Sequence, residues 1–161
     1  MDKEYEFDNN QIIVSKTDTK GKLTYCNEIF IRMSAYTEQE LLGQPHNILR
    51  HQDMPKVIFK LLWETIQSGQ EIDAYVKNLR KDGGYYWVLA NVTPSFDKNN
   101  RIIGHFSVRR KPKKSSLEYI KNLYSKLIQL ERAGGTTASM KHLQNILDEK
   151  EVSYAEFVLS C

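Results

Sequence analysis

From residue 71 onward the chain alternates three strand-like runs with two tight-turn signals, and few folds accommodate that order. Residues 71–80 and 85–95 are rich in β-branched and aromatic side chains and are separated by Lys81-Asp82-Gly83-Gly84. Asp97-Lys98-Asn99-Asn100 then leads into a third run over residues 101–110. Asp-Gly and Asn-Asn turns between such runs predict hairpins, so the three strands form an antiparallel meander. A meander of this size needs a cover on at least one face, and the flanking segments supply it.

Upstream, residues 11–17 and 23–26 predict two further strands joined through Asp18-Thr19-Lys20-Gly21. Ile29, Phe30, Met33 and Tyr36 then recur at helical spacing. Thr37-Glu38-Gln39-Glu40 is a capping box with Tyr36 and Leu41 set for a hydrophobic staple. A polar stretch, Pro45 to Pro55, precedes an amphipathic helix carrying Val57, Ile58, Leu61, Leu62, Trp63 and Ile66. The expected class is α+β: a five-stranded antiparallel sheet with short helices on one face. After residue 115 the pattern is helical only. Ser115-Ser116-Leu117-Glu118 predicts one capped start, Gly134-Gly135 a break, and Ser153-Tyr154-Ala155-Glu156 another capped start. The expected division is one domain over residues 10–112 and a helical tail over 115–161, serving output or dimerisation.

Composition narrows the class. The chain has 161 residues with 40% hydrophobic and 27% charged side chains, and a net charge of +3. That balance supports a packed core, and the charge is too small to argue for nucleic acid. Six positions from Arg109 to Lys114 hold five of the basic residues and Pro112. They read as a solvated linker, with phosphate binding as the alternative. The two cysteines, Cys26 and Cys161, form no CxxC pair, which points to a reducing, cytoplasmic setting. No apolar run is long enough to span a bilayer, so direct membrane insertion is not expected.

Catalytic signatures are missing: there is no GxSxG elbow, P-loop, HExxH or Rossmann fingerprint, and an enzyme is not expected. His46 and His51 lie five apart, the wrong spacing for two ligands on one helical face, and no metal site is expected. Arg50-His51-Gln52-Asp53 crowds a guanidinium, an imidazole and a carboxylate just before the amphipathic helix. It reads either as a helix-entry network, with Asp53 capping and Arg50 paired to it, or as the polar rim of a cofactor site. Asn27 and Asn78 add carboxamides, and Phe59 and Trp63 add aromatic walls. A carboxamide in an aromatic cavity suits a planar heterocycle; otherwise it is a satisfied core residue. Trp87 alternates with Val88 and is expected on the opposite face of the sheet, as ordinary core or beneath a helix or partner.

The stretch Gly43-Gln44-Pro45-His46-Asn47-Ile48-Leu49-Arg50-His51-Gln52-Asp53-Met54-Pro55-Lys56, followed by Phe59 and Trp63, resembles the flavin-binding PAS domain of bacterial aerotaxis receptors. Val76-Lys77-Asn78, Arg80-Lys81-Asp82-Gly83, Tyr86-Trp87-Val88, Ala90-Asn91 and Pro94 continue the likeness over residues 10–112. The resemblance implies a PAS fold and non-covalent FAD. It implies that Arg50, His51 and Asp53 match residues the family needs to retain FAD. It also implies that Asn27, Phe59, Trp63 and Asn78 line the pocket. Light-sensing relatives use a loop cysteine for a photoadduct, and this loop has none. Flavin-binding relatives often carry Trp just before the third strand, where this chain has Ile72. The implied role is redox or oxygen sensing, relayed to a membrane chemotaxis transducer or another signalling protein. A homodimer and recruitment of a cytoplasmic protein to a membrane receptor belong to the same expectation. Two alternatives stand beside it: a cofactor-free interaction module with a pocket filled by Phe59, Trp63 and Phe106, and a haem gas sensor that would need His51 as ligand.

Overall fold

A computed structural model describes residues 2–161. Five strands form one antiparallel sheet: β1 Ile13–Thr17, β2 Leu23–Cys26, β3 Ile72–Leu79, β4 Tyr85–Phe96 and β5 Ile102–Arg110. Their order is β2-β1-β5-β4-β3, so the chain's first strand pairs with its last. Both expected hairpins of the meander form, with Val76 opposite Val88 and Val92 opposite Ser107. Closing β1 against β5 brings the Thr17 carbonyl directly over Gly104, where any Cβ would collide with that oxygen.

The β1–β2 turn is held by one carboxylate. Asp18 Oδ1 accepts from Lys20 N and Lys22 N, both at 2.9 Å. The segment between β2 and β3 carries α1 Glu28–Ser34, α2 Glu38–Leu41, a 3-10 turn over His46–Leu49, and α3 Lys56–Gln67. The Thr37 capping box forms as expected, with both reciprocal bonds present. These elements pack Phe30, Leu41, Leu49 and Val57 into the core beside the sheet, while Ile58 of α3 meets Tyr75 and the tail.

The tail covers the outer face. It comprises α4 Lys114–Lys150 and α5 Tyr154–Ser160. The break at the glycine pair is real: Gly135 has φ 71°, a backbone conformation that ends one helical segment and starts another. The chain folds back there, because Ser139 Oγ reaches Glu131 Oε2 at 2.8 Å and Leu143 joins Ile120 and Leu123 in one apolar cluster. The Ser153 box forms, whereas the Ser115 box does not. Helix α4 begins behind Lys113 with no side-chain cap, and the hydroxyl of Ser116 donates to the Cys161 carbonyl at 2.8 Å. Docking of the tail thus overrides the local capping signal.

Trp87 lies on the outer face, buried, with its ring 6.0 Å from that of Tyr124 on α4. The Tyr124 hydroxyl donates to the Tyr75 carbonyl at 2.6 Å, tying the tail to β3. Desolvation drives the Tyr124 phenol well above its ordinary pKa, so it stays a donor.

Candidate functional site

Alternation along the strands sends one set of side chains inward, and between them and α3 lies a cavity of about 320 Å³. That is the lower end of the range for small-molecule sites. Helix α3 and the sheet contribute Phe59, Leu62, Trp63, Ile66, Val76, Ala90 and Val92. The polar wall comes mainly from β5, where His105, Ser107 and Arg109 occupy alternate positions, with Ser15 on β1 and Asn78 on β3 beside them. Lys20, Asn47 and Arg50 lie at the exposed edge of the same cavity.

Three of these polar groups are buried without a partner. Among the described residues, Asn78 Nδ2, His105 Nε2 and Ser107 Oγ have no hydrogen-bond partner. A buried donor or acceptor left unmatched costs about 1–3 kcal/mol, so three around one cavity are expensive unless something completes them. Arg109 is 4% exposed, and its guanidinium donates to Ser15 Oγ at 3.1 Å and to His46 Nε2. No carboxylate pairs with it among the described residues. Burial lowers its pKa to about 10, which leaves it cationic at neutral pH. The same burial, with the Arg109 charge adding to it, pushes His46 down to about 3, so the imidazole is neutral and free to accept. An uncompensated buried cation beside three unmatched polar atoms suits a ligand rich in acceptors.

The residues expected at the site divide into two groups. Arg50, Phe59, Trp63 and Asn78 line the cavity. The Arg50 guanidinium lies 4.0 Å from the centre of the Phe59 ring, and its backbone bridges to that of Asn78. Trp63 packs 5.8 Å from His105. Asn27, His51 and Asp53 are not in the wall.

Asn27 caps α1: its Oδ1 accepts from Phe30 N at 3.0 Å and Val14 N at 3.1 Å, and its Nδ2 donates to the Ile12 carbonyl at 3.0 Å. It is fully committed to fastening α1 to β1. His51 is buried under Tyr85, with Nδ1 accepting from Asp53 N at 3.0 Å. Burial, and then the charge of Lys77, lowers its pKa and keeps that nitrogen an acceptor.

Asp53 neither caps α3 nor pairs with Arg50. It accepts from Lys77 Nζ at 2.8 Å, and that bond holds its carboxyl below the usual range. His51 and Asp53 therefore order the loop and clip it to β3 one residue from Asn78. Cap duty at α3 falls to the tail: Glu131 accepts from Lys56 N at 2.8 Å and from Val57 N at 3.0 Å.

The polar wall also holds residues that the sequence pattern does not single out as site residues, among them Ser15, His46, His105, Ser107 and Arg109. Arg109 is buried in the wall and not part of the solvated linker expected over Arg109 to Lys114. A signal was present, since polar side chains at every second position of a central strand imply a polar inner face. Neither cysteine lines the cavity, and burial raises the Cys26 thiol to about 11.

A PAS-fold family model matches residues 23–108, just over half of the chain. The chain belongs to the PAS family. Along 71% of its length this PAS protein is 40% identical to the aerotaxis receptor of Escherichia coli, covering 22% of that receptor. It is 27% identical to a nitrogen fixation regulatory protein of Klebsiella pneumoniae over 62% of its length, or 20% of that protein. It therefore spans about a fifth of each of these two relatives. The light-state structure of the Aureochrome1 LOV photoreceptor superposes with a TM-score of 0.61 at 21% identity, over 68% of this chain and 88% of that one. That likeness establishes the sheet and its helices as a PAS/LOV fold. No helix among the described residues is long and apolar enough to cross a membrane.

Proposed function

We propose that this PAS domain binds FAD non-covalently, with the isoalloxazine ring in the cavity, and reports redox or oxygen state to a signalling partner. One observation carries the reading: Asn78 Nδ2, His105 Nε2 and Ser107 Oγ, buried and without a partner among the described residues, belong to side chains around an aromatic cavity beside the Arg109 cation, which no described carboxylate pairs. A planar ring with carbonyls and ring nitrogens could complete all of them. The volume suits a ring system and not a whole dinucleotide, so the diphosphate belongs at the edge, near Arg50 and Lys20. Likeness to an aerotaxis receptor supports the same choice.

When bound, a flavin supplies a reversible change of charge and protonation at its ring. This chain's contribution is to exclude water, to hold a positive charge at Arg109, and to offer Asn78 as a carboxamide that can donate or accept. Asn78 adjoins Lys77, whose amide meets Met54 Sδ at 3.2 Å and whose ammonium holds Asp53. A reorientation of Asn78 would thus strain the clip on the loop and the face of β3 on which the tail rests. The tail from Ser115 is the output element in this reading. Its partner is a membrane chemotaxis transducer or a similar signalling protein, reached by a cytoplasmic homodimer.

The alternatives fare less well. A cofactor-free module should fill its pocket, yet the cavity stays open between Phe59 and Trp63. A haem held by His51 would need that imidazole in the cavity wall, whereas it lies outside the wall, against Tyr85.

Reconstitution of the purified chain with FAD tests the proposal. A yellow, stoichiometric complex is expected. Asn78→Ala should weaken it at least tenfold, and Asp53→Asn less, since Asp53 acts by positioning the loop. Failure to take up any FAD, by absorbance and mass spectrometry, would overturn the reading.

A further inference from the structure

A second cavity, of about 330 Å³, lies on the opposite side of the sheet, between β3, β4 and α4. Its lining differs in kind from the first. Lys77, Lys121 and Arg132 face a single carboxylate, Asp53, and that carboxylate is already held by Lys77. Lys121 and Arg132 make no ion pair among the described residues. They stand eleven positions apart on α4, close to three full turns, with Ser125 between them on the same side of the helix.

The wall also contains Trp87, which is 6% exposed and whose indole N–H has no hydrogen-bond partner among the described residues. Tyr124 adds no donor here, since its hydroxyl serves the Tyr75 carbonyl. So the cavity combines excess positive charge, a hydroxyl at Ser125 and a buried donor that nothing satisfies.

We infer that this cavity is a binding site for a small oxyanion, bearing carboxylate or phosphate groups, that bridges the sheet to the tail. Lys121 and Arg132 would approach it from α4, Lys77 and the Trp87 indole from the sheet. The volume leaves room for a dicarboxylate or a small phosphate compound. Bound there, the anion joins two elements that otherwise meet through Tyr124 and its apolar neighbours, so it favours the docked tail. The inference does not depend on what fills the inner cavity.

Titration followed by NMR decides it. The full chain has two tryptophans, so Trp63→Phe leaves the Trp87 indole N–H as the one such resonance. Succinate and inorganic phosphate are titrated separately at constant ionic strength, with sodium chloride as control. A saturable shift of the Trp87 signal with either anion supports the site, and whichever anion binds more tightly identifies the carboxylate or phosphate class. The double substitution Lys121→Gln and Arg132→Gln, at two exposed positions, should raise the dissociation constant at least tenfold without changing the melting temperature. Absence of a saturable shift with both anions would overturn the inference. So would an equal response to chloride, or an unchanged affinity in the double variant.

Discussion

At the scale of single residues, the inner cavity is governed by the buried Arg109 and its half-buried partner His46. His46 accepts only while neutral, and in the unfolded chain its pKa returns to about 6.5. Because the folded value is depressed to about 3, the unfolded state binds the extra proton first as pH falls. Stability is therefore complete above pH 6.5 and is lost progressively toward pH 3, by at most ~1.4 kcal/mol per pH unit from this group. His51 and His105 are shifted in the same direction by burial and add to the slope. His46→Gln keeps a neutral acceptor for Arg109 and removes the titration. The drop in melting temperature from pH 7 to pH 5 should be smaller in the variant than in the parent. An identical drop in both would assign the pH response elsewhere.

The residue scale also shows how far single side chains can be read in advance. Asn78 was legible because β3 alternates and its neighbours at even spacing, Val76 and Arg80, set its face. Asn27 was not, because a carboxamide just before a helix and one beside a pocket look alike in sequence. Its three hydrogen bonds to β1 and α1 decide for the cap. His51 and Asp53 belong to the same stretch as Arg50, yet only Arg50 reaches the cavity wall. Within an irregular loop there is no period from which a side chain's direction could be derived.

Among the elements, α3 depends for its first turn on a distant part of the chain. It follows Pro55, has no side-chain cap of its own, and relies on Glu131 for two backbone N–H groups. A carboxylate at a helix N-terminus is favoured twice, by hydrogen bonding and by the helix dipole. The same helix carries Phe59, Leu62, Trp63 and Ile66 into the cavity wall. Tail and cavity are thus linked through one ion as well as through the sheet. Glu131→Ala should cost about 1–2 kcal/mol in denaturant unfolding and speed amide exchange at Lys56 and Val57. Unchanged exchange at those two amides would show that the cap carries no weight. The hairpins, the Thr37 and Ser153 boxes and the Gly135 break were all legible, since each rests on contacts within a few residues. The Ser115 box failed, because the cost of one lost cap is smaller than the burial gained when α4 seats on the sheet.

The whole molecule is a sheet with two differently furnished faces. Inside, short helices enclose an aromatic cavity with unmatched polar atoms. Outside, the folded-back tail covers Tyr75 and Trp87. A chain ending at residue 112 would bare that face, at ~25 cal/mol per Å² of apolar surface and so several kcal/mol in all. It should melt well below the full chain, bind a hydrophobic dye, and show red-shifted Trp87 fluorescence. A melting temperature equal to that of the full chain would mean that the sheet needs no cover.

Local pattern alone determined much of this protein: the α+β class, the order of strands and helices, the inward face of β3, and membership of the PAS family. Those properties depend on alternation, helical period, turn chemistry and a distinctive motif, all written over short stretches. Only the tertiary structure decided that Arg109 is a buried cation and not part of a linker, that Glu131 caps a helix 74 residues away, and that Lys77 and Trp87 share a second cavity with α4. Each of these depends on which surfaces meet when β1 closes on β5 and the tail folds back. Long-range contact of that kind leaves no period in the sequence, because the partners are brought together by the burial of other residues.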